Sequence, residues 1–139
     1  MKHYKIGYTA GVFDLFHVGH LNLLERAKEQ CDYLIVAVTT DELVSYKNKK
    51  AVIPYEERAR IVAALKVVDQ VVPQVNMNKM EAWERYHFDA MFVGDDWKGT
   101  EKWQRYEEEF RSVGVDIVYF PYTRGISSTI IESKLSNQS

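Results

Sequence analysis

Two histidines, His17 and His20, stand three residues apart in AGVFDLFHVGHLNLLERAK, Ala10 to Lys28, in a chain that has four histidines in all. They fall where a glycine-punctuated loop passes into a helical pattern. Both imidazoles would therefore flank a first helical turn, beside backbone N–H groups with no intrahelical acceptor. Such a place is an anion site with two added donors, suited to phosphate oxygens and to the charge that builds up in phosphoryl or nucleotidyl transfer. Gly11 lets the chain turn sharply, and Gly19 lets backbone approach a ligand with no side chain between them. Two plainer readings stand beside this one. The pair could ligate a metal, although zinc would find no cysteine and only Asp14 nearby, or it could simply cap the helix.

Three other segments carry groups of the same kind. GISST, Gly125 to Thr129, puts the hydroxyls of Ser127, Ser128 and Thr129 where a last helix starts. That suits a triphosphate tail, and a serine N-cap without any ligand produces the same string. SYKNKK supplies Lys47, Lys49 and Lys50, either a solvated basic loop or a source of phosphate contacts. Arg58 and Arg60 on the helix beyond could assist, and ion pairing with Glu56 or Glu57 explains them equally. GDDW offers Asp95 and Asp96 for Mg2+ or for a ribose and base, with Trp97 as a wall. Its bland equivalent is a turn built on two aspartates with a packing tryptophan.

Elements that could bring these segments together are readable from the pattern. YKIGYT, residues 4–9, alternates as a strand, and Leu21, Leu24, Ala27 and Cys31 make one apolar helical stripe from about Gly19. DYLIVAVTT is a continuously apolar, β-branched run, as in a strand buried on both faces. DELVSYKNKK opens on a capping aspartate and dissolves into a basic loop. PYEERARIVAALK begins a helix with a proline and two glutamates in its first turn. Val67 to Pro73 reads as a third strand, and NKMEAWERYH as a helix with Met80, Trp83 and His87 on one side. DAMFVGDDW is a fourth strand running into a polar turn. Trp103, Tyr106 and Phe110 share a helical face, and Gly114 falls at a helix C-cap. VDIVYFP is a fifth strand, and YTRGISSTIIESKL turns through Gly125 into a last helix.

Strands alternating with helices predict an α/β fold: one Rossmann-like, doubly wound, five-stranded parallel sheet with helices on both faces. In such a sheet ligands bind beyond the carboxyl ends of the strands, where strand order reverses. Three of the chemistry-bearing segments follow strands one, four and five, and the crossover rule makes strands one and four neighbours at the reversal.

Composition narrows the function classes. A chain of 139 residues builds one domain, since a second core would be cramped. A net charge of −2 excludes a non-specific grip on nucleic acid, which needs a basic face. Cys31 is the only cysteine, so no intrachain disulfide or thiolate cluster can form, and it reads as a small buried apolar residue in a reducing compartment. No long apolar run suggests a signal peptide or membrane insertion, and the expected location is the cytoplasm.

GVFDLFHVGH resembles the H-x-G-H signature of the nucleotidyltransferase superfamily, and GISST resembles its second signature, I-S-S/T-T. DYLIVAVTTDE, KNKK, YEER, VDQVVP, GDDWKG and GISST stand in the order found in glycerol-3-phosphate cytidylyltransferases. The resemblance spans nearly the whole chain, as one domain over residues 1–139. It implies that CTP and an alcohol phosphate react to give a CDP-alcohol and pyrophosphate. The acceptor oxygen would attack the α-phosphorus in line, without a covalent enzyme intermediate. By motif position, His17 and His20 would contact the triphosphate and the transition state, and Lys49 the CTP phosphates. Val12, Phe13 and Gly19 would line the nucleotide, with Asp14 fixing the loop. Asp95, Asp96, Arg124, Gly125 and Ile126 would complete the nucleotide site, and Ser127, Ser128 and Thr129 would hold the β- and γ-phosphates. Mg2+ would enter with CTP. Lys47, Arg58 and Lys79 would bind the acceptor, glycerol 3-phosphate first among the candidates. A homodimer is expected, serving cell-surface polymer or lipid synthesis.

The chain departs from the family pattern in three places. Val12 replaces a threonine, Tyr122 an arginine and Arg124 a glutamate. Arg124 could reach the same phosphates from two residues later, or the acceptor pocket could differ. Alternatives within the class are an acceptor that is another polyol or amino-alcohol phosphate and an ATP-dependent adenylyltransferase; from a different class comes a nucleotide-binding module without turnover.

Overall fold

A computed structural model describes residues 3–46, 50–95 and 98–121. Five strands, β1 (Tyr4–Gly11), β2 (Cys31–Thr39), β3 (Gln70–Gln74), β4 (Ala90–Gly94) and β5 (Asp116–Phe120), form one sheet in the order β3-β2-β1-β4-β5. Every pairing is parallel. Five helices connect them: α1 (Val18–Glu29), α2 (Asp41–Tyr46), α3 (Tyr55–Ala63), α4 (Lys79–Tyr86) and α5 (Glu101–Arg111).

The continuous apolar run in β2 has the cause expected of it. Successive side chains point to opposite faces of a strand, and here both faces are covered. Leu34, Val36 and Val38 pack with Leu24 and Ala27 of α1 and Val62 of α3. Ile35 and Ala37 pack on the other side with Trp103 and Phe110 of α5, joined by Met80 and Trp83 of α4. One core layer thus lies under α1 and α3, and the other under α4 and α5. Cys31 is a free thiol buried in the first layer, and a Cβ on Gly7 of β1 would lie 2.8 Å from its Sγ, so the two strands meet there only because Gly7 has no side chain.

Strands one and four are neighbours, as the crossover rule predicts, but only through Gly7↔Ala90 and Tyr8↔Met91. Beyond Tyr8 the ladder gives way to a side chain: Thr9 Oγ1 donates to the Phe92 carbonyl at 2.8 Å. The two strands part at their carboxyl ends, where strand order reverses, and that opening is where such folds bind ligands.

Two expectations are corrected. The third strand begins at Gln70 rather than Val67. Val67 and Val68 instead plug the core in the turn after α3, and Asp69, whose N–H donates to Leu34 O at 3.0 Å, sets the register of the strand that follows. Residues 41–46, read as a cap and loop, form α2. Its cap is Thr40, whose Oγ1 accepts from Leu43 N at 3.3 Å, which leaves the Asp41 carboxylate for other partners. The last helix, read over YTRGISSTIIESKL, lies outside the described residues.

Candidate active site

The loop after β1 carries most of the chemistry, and its backbone is strained. Phe13 and Leu15 have φ of 53° and 49°, the left-handed region that non-glycine residues enter at a cost of about 1–3 kcal/mol each. The sharp turn is therefore made at these two residues, whereas Gly11 makes room: a Cβ there would lie 3.1 Å from the Phe13 ring.

Two buried charged side chains hold that conformation. Asp14 Oδ1 accepts from Leu15 N at 3.1 Å and Ile53 N at 2.9 Å, and Oδ2 from Val52 N at 2.8 Å. It fixes the loop to the segment ahead of α3, in keeping with the role expected of it. Arg58 is the second, and here the expectation of an acceptor contact is corrected. Its side chain is 0% exposed. Nε donates to Ile53 O at 2.7 Å, NH1 to Val12 O at 2.8 Å and Thr39 O at 2.7 Å, and NH2 to Asp41 at 2.6 Å. A guanidinium with so many donors spent ties the ends of β1 and β2 to α2 and α3. Its ion partner is Asp41, not Glu56 or Glu57. Asp41 also accepts from Tyr55 N at 3.1 Å; that backbone bond, ahead of the Arg58 contact, lowers the carboxyl's pKa.

His17 and His20 close the loop onto α1. His17 is the N-cap: its Nδ1 accepts from Gly19 N at 3.0 Å, and His20 Nδ1 accepts in return from His17 N at 3.2 Å. An N–H cannot donate to another N–H, so each neutral ring carries its proton on Nε2. The rings stack at 4.0 Å between centroids, and Phe13 and Phe16 pack against His20 at 5.5 and 5.2 Å. Burial pushes the His20 pKa down to about 4, with the neighbouring His17 adding to the shift and Asp14 opposing it. Burial also lowers that of His17. Both rings are neutral near pH 7. The capping reading is thus true of the Nδ1 atoms and silent about the Nε2 atoms. Among the described residues His17 Nε2 is a buried polar atom with no hydrogen-bond partner, a costly state that an anionic oxygen would relieve.

Asp95 follows β4 and is exposed at the same end of the sheet as the loop, because β4 borders β1. Lys79 is elsewhere: it begins α4, on the opposite core layer from α1, buried against Trp103 and Tyr106. Val12, Phe13, Asp14, His17, Gly19 and His20 are therefore together in one loop, with Asp95 at the adjacent strand end. Lys47, Lys49, Asp96, Trp97 and Tyr122 lie outside the described residues, as do Arg124, Gly125, Ile126, Ser127, Ser128 and Thr129. The Arg58–Asp41 joint and the rings beneath Lys79 were not visible in the sequence. Only the register of distant segments reveals either one.

Comparison with known proteins gives a consistent picture. A family model described as cytidylyltransferase-like matches residues 8–134. The chain is 40% identical over 129 residues to the glycerol-3-phosphate cytidylyltransferase of Bacillus subtilis strain 168, covering 92% of this chain and 95% of that protein. It is 38% identical over 128 residues to the protein of that name from Staphylococcus aureus, covering 91% and 92%. Among solved structures, the lipopolysaccharide core biosynthesis protein from Thermoplasma volcanium GSS1 superposes with a TM-score of 0.76 at 25% identity, over 86% of this chain and 98% of that one.

Proposed function

The chain belongs to the cytidylyltransferase-like family, and on that premise we propose that it transfers the cytidylyl group of CTP to glycerol 3-phosphate. A phosphate oxygen of the acceptor attacks the α-phosphorus, the bond from that phosphorus to the bridging oxygen of the β-phosphate breaks, and CDP-glycerol and pyrophosphate result. The acceptor is already an anionic nucleophile, so no strong base is required. Positioning and charge stabilisation carry the rate.

The observation that carries this reading is the buried Nε2 of His17, without a partner among the described residues, at the start of α1. A neutral imidazole whose Nδ1 is fixed by backbone presents Nε2–H in a set direction, as a donor to a non-bridging oxygen that gains charge in the transition state must be presented. His20, stacked on it with the same tautomer, supplies a second such donor. In this reading Val12, Phe13 and Gly19 line the nucleotide. Lys49, Arg124, Gly125, Ile126, Ser127, Ser128 and Thr129 hold its phosphates, and Lys47 meets the acceptor.

Mg2+ fits as a partner of the triphosphate. Among the described residues no three His, Cys, Asp or Glu side chains group to hold a metal. Mg2+ commonly rests on one or two carboxylates together with substrate phosphates, which Asp95, with Asp96 beside it in sequence, would provide. When bound, the ion would neutralise charge on the β- and γ-phosphates. Among the described residues no helix is long and apolar enough to cross a membrane; the location in this reading is the cytoplasm. We further read it as a homodimer whose product feeds cell-surface polymer synthesis.

Pyrophosphate release, measured with each nucleoside triphosphate against a panel of alcohol phosphates, tests the reading. CTP with glycerol 3-phosphate should give the highest kcat/KM. Turnover with ATP but not CTP, or CTP binding without turnover on any acceptor, would sink it.

A further inference from the structure

Asp95 stands at the end of β4, beside the opening where strand order reverses, and the turn that carries it is tied to the neighbouring strand by a lysine. β4 ends at Gly94, opposite Phe120 of β5, and Val93 stands opposite Tyr119. The chain leaves β4 through Asp95, closes a turn in which Lys98 N donates to Asp95 O at 3.1 Å, and passes Gly99, at a φ of 86°, into α5. Thr100 caps that helix, accepting from Trp103 N at 3.4 Å, and Gln104 Nε2 donates to Gly99 O at 3.4 Å. These bonds fix the far end of the turn to α5. The tie to β5 is of another kind: Lys98 Nζ lies over the face of Tyr119, 5.8 Å from the ring centroid. That ring is itself held from two sides. Its hydroxyl donates to Glu107 Oε1 at 2.5 Å, and Trp103 meets it edge-on at 6.4 Å. Burial, with Glu107 adding to it, raises the phenol's pKa, so the hydroxyl stays a neutral donor.

We propose that Lys98 and Tyr119 are positioning residues for the nucleotide: the ring face pins the Lys98 ammonium, and with it the turn that holds the Asp95 carboxylate at the strand-end opening. The proposal rests on the reading of Asp95 as part of the CTP site. An exposed carboxylate on a strand-end turn is poorly aimed unless something holds the turn, because few buried contacts restrain such a segment. A tie to the neighbouring strand orders it before the ligand arrives, which leaves less ordering for binding to offset. A cation over a ring suits this place, since the contact is electrostatic and operates at a solvent-exposed site. Among the described residues Lys98 forms no ion pair with Asp95 three residues before it, so the lysine holds the turn without engaging the carboxylate.

Steady-state kinetics on the full chain with CTP and glycerol 3-phosphate test this. Lys98→Met and Tyr119→Leu should each raise the CTP KM about threefold, the size that a cation–π contact at an exposed site supports, while the acceptor KM does not change. Lys98→Arg, which keeps a cation over the ring, and Tyr119→Phe, which keeps the face and drops the Glu107 bond, should match wild type. The double variant should lose no more than either single one, because both changes remove one interaction. Asp95→Asn should itself raise the CTP KM, and in that background Lys98→Met should add nothing, since the tie acts through that carboxylate. An unchanged CTP KM in Lys98→Met, an equal rise in both KM values, or a loss that multiplies with Asp95→Asn would overturn the proposal. If Tyr119→Leu does not fold, the exposed Lys98 series decides. A wild-type protein without turnover on CTP, or an Asp95→Asn variant with a wild-type CTP KM, would instead overturn the underlying reading and the proposal with it.

Discussion

His17 and His20 are held by hydrogen bonds on a strained loop, whereas Lys79 is held by ring faces in a packed layer. The loop after β1 spends two buried charged residues on its shape. Asp14 binds three backbone N–H groups and Arg58 binds three carbonyls, while Phe13 and Leu15 sit at positive φ. Across the sheet, Trp103 and Phe110 are buried in an aromatic core with no positive-φ residue inside α4 or α5. The contrast is one of aiming by hydrogen bonds against holding by packing. A donor to a developing oxyanion has to be aimed within narrow angular limits, which backbone hydrogen bonds to a ring nitrogen achieve.

If that contrast is right, removing the polar joint should hurt most. Arg58→Met keeps much of the side-chain bulk but strands the carbonyls of Val12, Thr39 and Ile53. Leaving buried groups without their charged partner should cost about 3–5 kcal/mol, read as a fall in the urea midpoint at unchanged m. A midpoint equal to that of wild type would mean that the loop does not depend on the joint. His17 comes next. Asparagine is a good N-cap whose amide oxygen can take over the role of Nδ1, whereas alanine cannot. Both variants should lose about 10²-fold in turnover, while only His17→Ala should also lose about 1 kcal/mol of stability. Wild-type turnover in His17→Asn would reduce this residue to a cap.

The same division explains what the sequence made legible. Hydrophobic pattern reports burial, so Leu34 to Val38 announced a strand covered on both faces, and Trp103, Tyr106 and Phe110 announced a core-facing helix. The crossover rule then placed β1 beside β4 and the His17 loop at the opening between them. What stayed hidden depends on register between distant segments. Arg58 and Asp41 are seventeen residues apart, and each has an ordinary surface explanation until β2, α2 and α3 are folded together. Val67 and Val68 misled because a β-branched pair that plugs a core from a turn has the same local pattern as the start of a strand. Gly11 was read as the turn because glycine is the usual occupant of positive φ, whereas here the Asp14 and Arg58 bonds hold Phe13 and Leu15 in that region instead.

The smallest effect is the most specific to the loop, because it isolates one ring nitrogen. The His20 pKa stands at about 4 in the folded protein against an ordinary 6.5, and the cause is burial of a ring that would otherwise be charged. Between those two values the unfolded chain binds more protons than the native one, so unfolding becomes more favourable as pH falls through that window. Above pH 6.5 the ring is neutral in both states and contributes no slope. His17, shifted in the same direction, adds to the effect. His20→Asn keeps an acceptor for the His17 amide and removes the titration, so its stability should fall less steeply from pH 6.5 to 4 than that of wild type. Paired chemical-denaturation series across that range measure the difference. Parallel slopes would mean that His20 charges freely in the folded state, and its ring would then not be the neutral, fixed donor that the loop is built to aim.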